Sequence, residues 1–176
     1  MIVKDLFLYL AAFLPKEALR DFFQVSQGRG YEDLWTAAMS LPDNRVIPGL
    51  TALVFGIDDE SVRQRISSIC GMYVFAEYGQ CTSYIDAVDV KTDKMHLALT
   101  VAESLPDDAD QAQQLLSQDR TLEVAASIRR VMRSDYDLGC LWLPAEASTL
   151  TPFRAKGLAN SFGWTLEWNT AMTDLI

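Results

Sequence analysis

Residues 46–78 read VIPGLTALVFGIDDESVRQRISSICGMYVFAEY, and the parsing of this stretch decides the fold. Val46–Ile57 reads as a mostly apolar strand, broken near its start by Pro48-Gly49. Asp58-Asp59-Glu60 reads as a charged turn. Beyond it Val62, Gln64, Ile66, Ser68, Cys70, Met72, Val74 and Ala76 alternate with Arg63, Arg65, Ser67, Ile69, Gly71, Tyr73, Phe75 and Glu77. The first half alternates polar with apolar residues, as a half-exposed strand does. The second half is apolar on both faces, as a strand covered on both sides is. This predicts one long strand over 62–78, paired with 50–57 as an antiparallel hairpin with the acidic triplet at its tip. The triplet lacks the spaced oxygens of a hard-cation loop and is read as a turn, not a metal site.

Towards the N-terminus, Val3, Phe7, Leu10 and Leu14 recur at helical spacing, with Leu6 and Phe13 beside them. This predicts a core-facing helix over about 3–13. The apolar run is too short to span a bilayer, is followed by no small-residue cleavage site, and lacks the basic face of a membrane-surface helix. Phe22-Phe23-Gln24-Val25 is a short apolar piece before the polar turn Ser26-Gln27-Gly28-Arg29-Gly30, where no Gly-Lys-Ser/Thr follows to make a phosphate cradle. A second helix is predicted over 31–41, ending before Pro42.

Towards the C-terminus, residues 82–105 fit two templates. Ile85, Val88, Met95, Ala98, Leu99, Ala102 and Leu105 have helical spacing, whereas Val88–Val90 and Leu97–Val101 alternate and would suit a hairpin turning at Asp93-Lys94. The run Met95–Leu105 favours the helix. Pro106–Asp110 is a polar linker. Gln111–Ser117 is a short helix, and Thr121–Arg133 a longer one, capped by Thr121 and with its arginines near the C-terminal end of the dipole. Cys140–Leu143 reads as a short strand and the segment around Pro152 as a loop. In 164–172, Trp164, Leu166, Trp168, Thr170 and Met172 share one face of a terminal strand. The class is α+β: a single domain, 1–176, with an antiparallel sheet built on a long β-hairpin and helices packed on one face.

The chain's 176 residues are enough for one domain to bury about 70% of its surface without staples. Fifteen basic against 24 acidic residues give a net charge of −9, and residues 86–119, with eight acids and two bases, carry −6 of it. Such a chain repels phosphate at long range, which argues against specific nucleic-acid binding and an anionic membrane surface. Arg129, Arg130 and Arg133 read as a solvated helix face. Cys70, Cys81 and Cys140 have no Cys-x-x-Cys spacing and are read as reduced, buried thiols. His96, the one histidine, is placed in a helix and accompanies no nucleophile elbow. No dinucleotide, P-loop, kinase or deaminase signature is present. The expectation is a protein that is not an enzyme and needs no cofactor or metal.

The order of elements carries one resemblance. An amphipathic N-terminal helix and a second helix precede a hairpin whose long strand runs from Ser61-Val62-Arg63-Gln64-Arg65-Ile66 to Met72-Tyr73-Val74-Phe75. Helical segments and a closing strand, Gly163-Trp164-Thr165-Leu166-Glu167-Trp168, follow. In this order, in size and in acidity, the chain resembles the tail terminator (tail completion) proteins of tailed bacteriophages. The resemblance implies a homo-oligomeric ring, typically of six subunits, in the tail or neck of the virion. Such a ring caps the tail tube, stops its polymerisation and meets tube or sheath on one side and neck proteins on the other. Sheet edges would join neighbours, with strands 62–78 and 164–172 as candidates, and with Arg63, Arg65, Tyr73, Phe75, Trp164 and Trp168 as candidate subunit-interface residues. A competing reading is a small acidic interaction protein, an immunity protein or chaperone, that neutralises a basic partner.

Overall fold

Apolar residues on both faces of 50–57 and of 72–78 require cover above and below, and the fold provides it. A computed structural model describes residues 3–23, 30–57, 60–85, 91–140, 143, 148–155 and 160–172. In chain order these form α1 (Val3–Ala11), α2 (Lys16–Phe22), α3 (Tyr31–Met39), a 3-10 turn (Asp43–Arg45), β1 (Leu50–Gly56) and α4 (Glu60–Ser67). β2 (Met72–Ile85), β3 (Lys91–Ser104), α5 (Gln111–Asp137), β4 (Thr149–Ala155) and β5 (Ser161–Met172) follow. The five strands make one sheet in the order β1-β2-β3-β5-β4. β1 runs parallel to β2 and every other pair is antiparallel. The class is α+β, as expected.

The expected hairpin 50–57/62–78 is not formed. Residues 60–67 are helical, and α4 is the crossover that a parallel β1–β2 pair demands. Val62 and Ile66, its buried residues, lie four apart, a spacing that satisfies both an alternating strand and one helical face. Glu60, Arg63, Gln64 and Arg65 are good helix formers and settle the choice. Asp58 and Asp59, two of the three expected tip residues, lie outside the described residues. Glu60 begins the helix instead of closing a turn.

The expected helix over 95–105 is also replaced. It is β3, which pairs with β2 up to Ile85–Lys91, so Asp93 and Lys94 lie within a strand and not at a turn; residues 86–90 lie outside the described residues. Met95, Leu97, Leu99 and Val101 point to one face and are buried there, while Ala98, Thr100 and Ala102 occupy the other. The same residues include Met95, Ala98, Leu99 and Ala102, which also fit a helical stripe. A central strand lacks polar alternation, and this created the ambiguity. His96 is therefore an exposed strand residue, not a helical one.

The two sheet faces are covered unequally. On one, α1, α2, α3 and α5 bury Leu6, Phe7, Leu10, Leu19, Ile128 and Met132 against β1, β2, β3 and β5. On the other, α4 packs Val62 and Ile66 on Val54, Tyr73, Phe75 and Ala102. Helices thus lie on both faces, not one. α2 was not anticipated: its seven residues are too few for periodicity, and tertiary bonds from Lys16 Nζ to the carbonyls of Ala38 (3.2 Å) and Leu41 (2.6 Å) tie it to α3.

α5 is one helix of 27 residues, not two. At 1.5 Å per residue it is about 40 Å long. Its N-cap is Asp110, which accepts from Gln113 N (2.8 Å) while its own N–H donates to Gln113 Oε1 (2.9 Å), a complete capping box. Thr121 is no cap. It is buried in mid-helix and its hydroxyl donates back to Ser117 O at 2.7 Å. Pro152 lies inside β4, not in a loop. An edge strand tolerates a residue without an N–H. Cys140 is not in a strand, Leu143 lies in a bend, and the two residues between them lie outside the described residues. Cys70 is exposed and Cys81 and Cys140 are half-buried, so the expectation of three buried thiols is corrected, although all three are free.

Candidate assembly interface

The side chains expected at a subunit contact are mostly committed within the chain. Tyr73, Phe75 and Trp168 are buried in the two cores. Trp164 is half-buried and its Nε1 donates to Gln118 O of α5 at 2.9 Å, which fixes the helix to the sheet. Arg65 lies with its guanidinium 5.0 Å from the Phe22 ring centre and donates to Asp21 O at 3.3 Å. Burial lowers its pKa, with Asp21 partly offsetting. Arg63 alone of the six is exposed. The 62–78 segment is not an edge: its strand part lies between β1 and β3, and β5 lies between β3 and β4. The true sheet edges are β1 and β4.

Strand length creates a different surface. The pairing of β1 with β2 ends at Gly56–Glu77, and that of β4 with β5 ends at Thr149–Glu167. β2 continues eight residues further, to Ile85; its partner β3 follows it to Lys91, and β5 follows β3 as far as Met172, opposite Asp93. Residues 78–85 and 91–97 therefore form an arm about 23 Å long, three-stranded where 168–172 pair with 93–97 and two-stranded at its tip. Within the sheet as described, β2 and β5 have no strand on their outer sides along this arm. Ser83 donates to the Asp93 carboxylate across the β2–β3 pair, and Met95, Leu97 and Trp168 bury the inner face of the arm's base. Ile85, near its tip, is 68% exposed.

The arm and β4 differ as edges. Pro152 removes one N–H from β4, a device that discourages pairing with another chain. The arm carries no proline and ends in exposed Gln80, Thr82, Ser83 and Ile85.

Two polar features lie on α5. Near its C-terminus Asp135 accepts from Tyr9 Oη (2.7 Å) and from Arg45 Nη1 (2.6 Å) and Nη2 (3.0 Å), and so ties α5 to α1 and to the 3-10 turn. Cys140 sits in the same field, and burial together with Asp135 raises its thiol pKa, which makes it a poor nucleophile. On the outer side of α5, a groove of about 460 Å³ is lined by Ala126, Arg129, Arg130, Arg133, Ser134 and Asp137. It is open to solvent. Among the described residues no group of three or more His, Cys, Asp and Glu side chains is placed to hold a metal, and no helix is long and apolar enough to cross a membrane.

Burial gives a pH signature. The phenol pKa of Tyr9 is raised mainly by burial and further by Asp135, and that of Tyr73 by burial with the Ser161 hydroxyl partly offsetting. Below a pH of about 10 both folded and unfolded chains keep these protons; above it the unfolded chain releases protons that the folded chain retains. Stability therefore falls as pH rises past 10, by at most about 1.4 kcal/mol per pH unit for each phenol. Urea midpoints measured at pH 9 and 11 should drop for the wild type and drop less for Tyr73→Phe. Equal drops in both chains would contradict this account.

Comparison with known proteins adds no relative. No family model matches the chain, and neither curated proteins nor solved structures yield a match.

Proposed function

We propose that this chain is a structural assembly subunit that closes into a ring by pairing strand edges between neighbours. In this role it acts as the tail terminator proteins of tailed bacteriophages do: it caps a tail tube and presents the other ring face to the neck. The observation that carries the reading is the arm, whose outer strand sides lie beyond the reach of β1 and β4. An open strand side is a ready template for another chain, and natural proteins that do not use one blunt it. β4 is blunted by Pro152, whereas the arm carries no proline and its β2 bulge, between Tyr78 and Cys81, lies at its base and leaves 81–85 regular. A head-to-tail contact between unlike surfaces generates a closed ring when the rotation closes. With a charge of −9 on each copy, apolar and main-chain contacts must offset the repulsion between neighbours.

Light scattering on a sizing column tests this over a range of protein concentration. The expected wild-type mass is a discrete multiple of 19.7 kDa, near six copies. Trimming the arm by joining Tyr78 to Leu97, which are register partners, through an Asn-Gly turn should give a monomer. Ile85→Glu is the milder variant, placed at an exposed position where folding is not at risk, and it should shift assembly to higher concentration. A wild type that stays at 19.7 kDa at all concentrations overturns the ring. It would favour instead a monomer that holds its acidic surface towards a basic partner.

A further inference from the structure

The arginines of the long helix α5 are unevenly placed: three of its four fall in its last ten residues, where Asp135 and Asp137 also lie. At its start Asp107 and Asp108 are exposed on the turn before the N-cap, and Asp119 and Glu123 follow on exposed positions. Towards its end come Arg129, Arg130 and Arg133. Arg129 is held in place, donating from Nε to Ser148 Oγ (2.9 Å) and from Nη2 to Ser148 O (3.3 Å). Arg130 and Arg133 are exposed, and among the described residues neither makes an ion pair or a hydrogen bond. They line the groove of about 460 Å³, where Asp137 is the single acid among the lining residues.

The acidic end is built as a fixed presentation and not as a loose loop. Ala109 N–H donates to Pro106 O at 3.0 Å, closing a turn around the two aspartates. Asn160 Nδ2 donates to the same carbonyl at 2.9 Å and anchors the turn to the start of β5. Gln114 Nε2 donates to Ala109 O at 3.0 Å. Asp110 is spent on the cap, which leaves Asp107 and Asp108 facing solvent. Residues 110 and 130 of one helix are about 30 Å apart along its axis, so the turn cannot fill the groove of its own chain.

We infer that the arginine groove of α5 docks the Asp107-Asp108 turn of a second copy of this chain. The occupant follows from charge complementarity: a basic groove on a chain of net charge −9 faces few acidic surfaces as abundant as its own. The contact joins unlike patches, so it is heterologous and propagates head to tail. It rests on the ring reading and gives that ring a second, electrostatic contact, one that sets register and direction while strand pairing supplies the area.

Charge reversal tests the inference in the full chain. The first variant is Asp107→Arg with Asp108→Arg; the second is Arg130→Asp with Arg133→Asp. All four positions are exposed, so both variants should keep the wild-type circular dichroism, with a thermal midpoint lowered by only a few degrees because the reversed charges oppose the helix dipole. Each alone should assemble only at a concentration about tenfold or more above the wild type, because each now opposes like charges. An equal mixture of the two should recover assembly near the wild-type concentration, since each variant complements the other around an even-numbered ring. Unaltered assembly of either variant, or a mixture that fails to recover, overturns the docking while leaving the ring in place. A wild type that never assembles overturns the ring itself and the docking with it.

Discussion

Replacing Gly163 with alanine should destabilise the protein by about 4 kcal/mol, at the upper end of what a single substitution does. A Cβ at this position would lie 2.0 Å from Val101 O, 2.6 Å from Ala102 Cα and 2.9 Å from Ala102 Cβ. Two of these three atoms are backbone, so no side-chain rotation relieves the clash. Gly163 is the register partner of Ala102 on β3 and of Phe153 on β4, so the centre of the sheet must part to make room. The loss is a large fraction of the roughly 5–15 kcal/mol that holds a domain folded. A chain of this size should show a thermal midpoint lower by about 8–16 °C. Adding Ala102→Gly removes the Cβ contact but leaves the carbonyl and Cα in place, so it should recover only part of the loss. A Gly163→Ala chain melting within 2 °C of the wild type would mean that β3 and β5 are not this close.

Gly163 also shows what the sequence could and could not disclose. A glycine within an apolar alternation signals a close approach of backbones, but its position before Trp164 also fits the start of a strand. The terminal strand was legible because Trp164, Leu166, Trp168 and Thr170 alternate with polar residues, and the structure places that stripe on the helix-covered core. α1 and α3 were legible from their periodic apolar residues and from Pro42. The misreadings of 62–78 and of 95–105 share one cause. Val62 with Ile66, and Met95 with Leu99, lie four residues apart, and this distance is common to both periods. The deciding information was non-local. Segments 50–57 and 72–78 are apolar on both faces, and such strands occur where a crossover helix covers one side. That signal favoured a parallel pair, and the antiparallel hairpin was the simpler local reading.

The arm was illegible for a different reason. Its strands carry ordinary alternation, and only the lengths of their neighbours leave their sides open. β1 stops at Gly56 and β4 begins at Thr149, neither of which bears on residues 78–85 in sequence. Aromatic residues invited selection as interface anchors, because such residues do anchor interfaces. Here Tyr73, Phe75 and Trp168 anchor the chain's own cores, and the exposed positions of the arm are mainly polar, Gln80, Thr82, Ser83, Lys94 and His96, with Ile85 the exposed apolar one. The arrangement of charge around α5 was half legible: the arginine triplet and the acidic stretch were both visible, but the single helix that sets them on opposite ends was read as two.

Asp135→Ala should cost about 2–3 kcal/mol, more than any surface ion pair is worth, because of what it leaves behind. The Asp135 side chain is 12% exposed and Arg45 35% exposed, so the pair is desolvated on one side only. Removing the carboxylate strands the Arg45 guanidinium 5.8 Å from the Tyr9 ring centre and leaves the Tyr9 hydroxyl without its acceptor. Breaking a fully buried pair costs about 3–5 kcal/mol, and the partial access of Arg45 to water lowers the figure here. Asp135→Asn keeps one acceptor for Tyr9 and should lose about 1 kcal/mol. The informative variant removes both charges. Arg45→Met with Asp135→Leu leaves no stranded cation and adds apolar surface around Tyr9, whose ring meets Phe13 edge to face. It should therefore be more stable than Asp135→Ala alone, although it carries more substitutions. Urea unfolding of the four chains at neutral pH decides the matter. If the double variant is the least stable, the network contributes more than its charges cost to bury. In that event α5 is held to α1 and the 3-10 turn by the ion pair itself rather than by the packing around it.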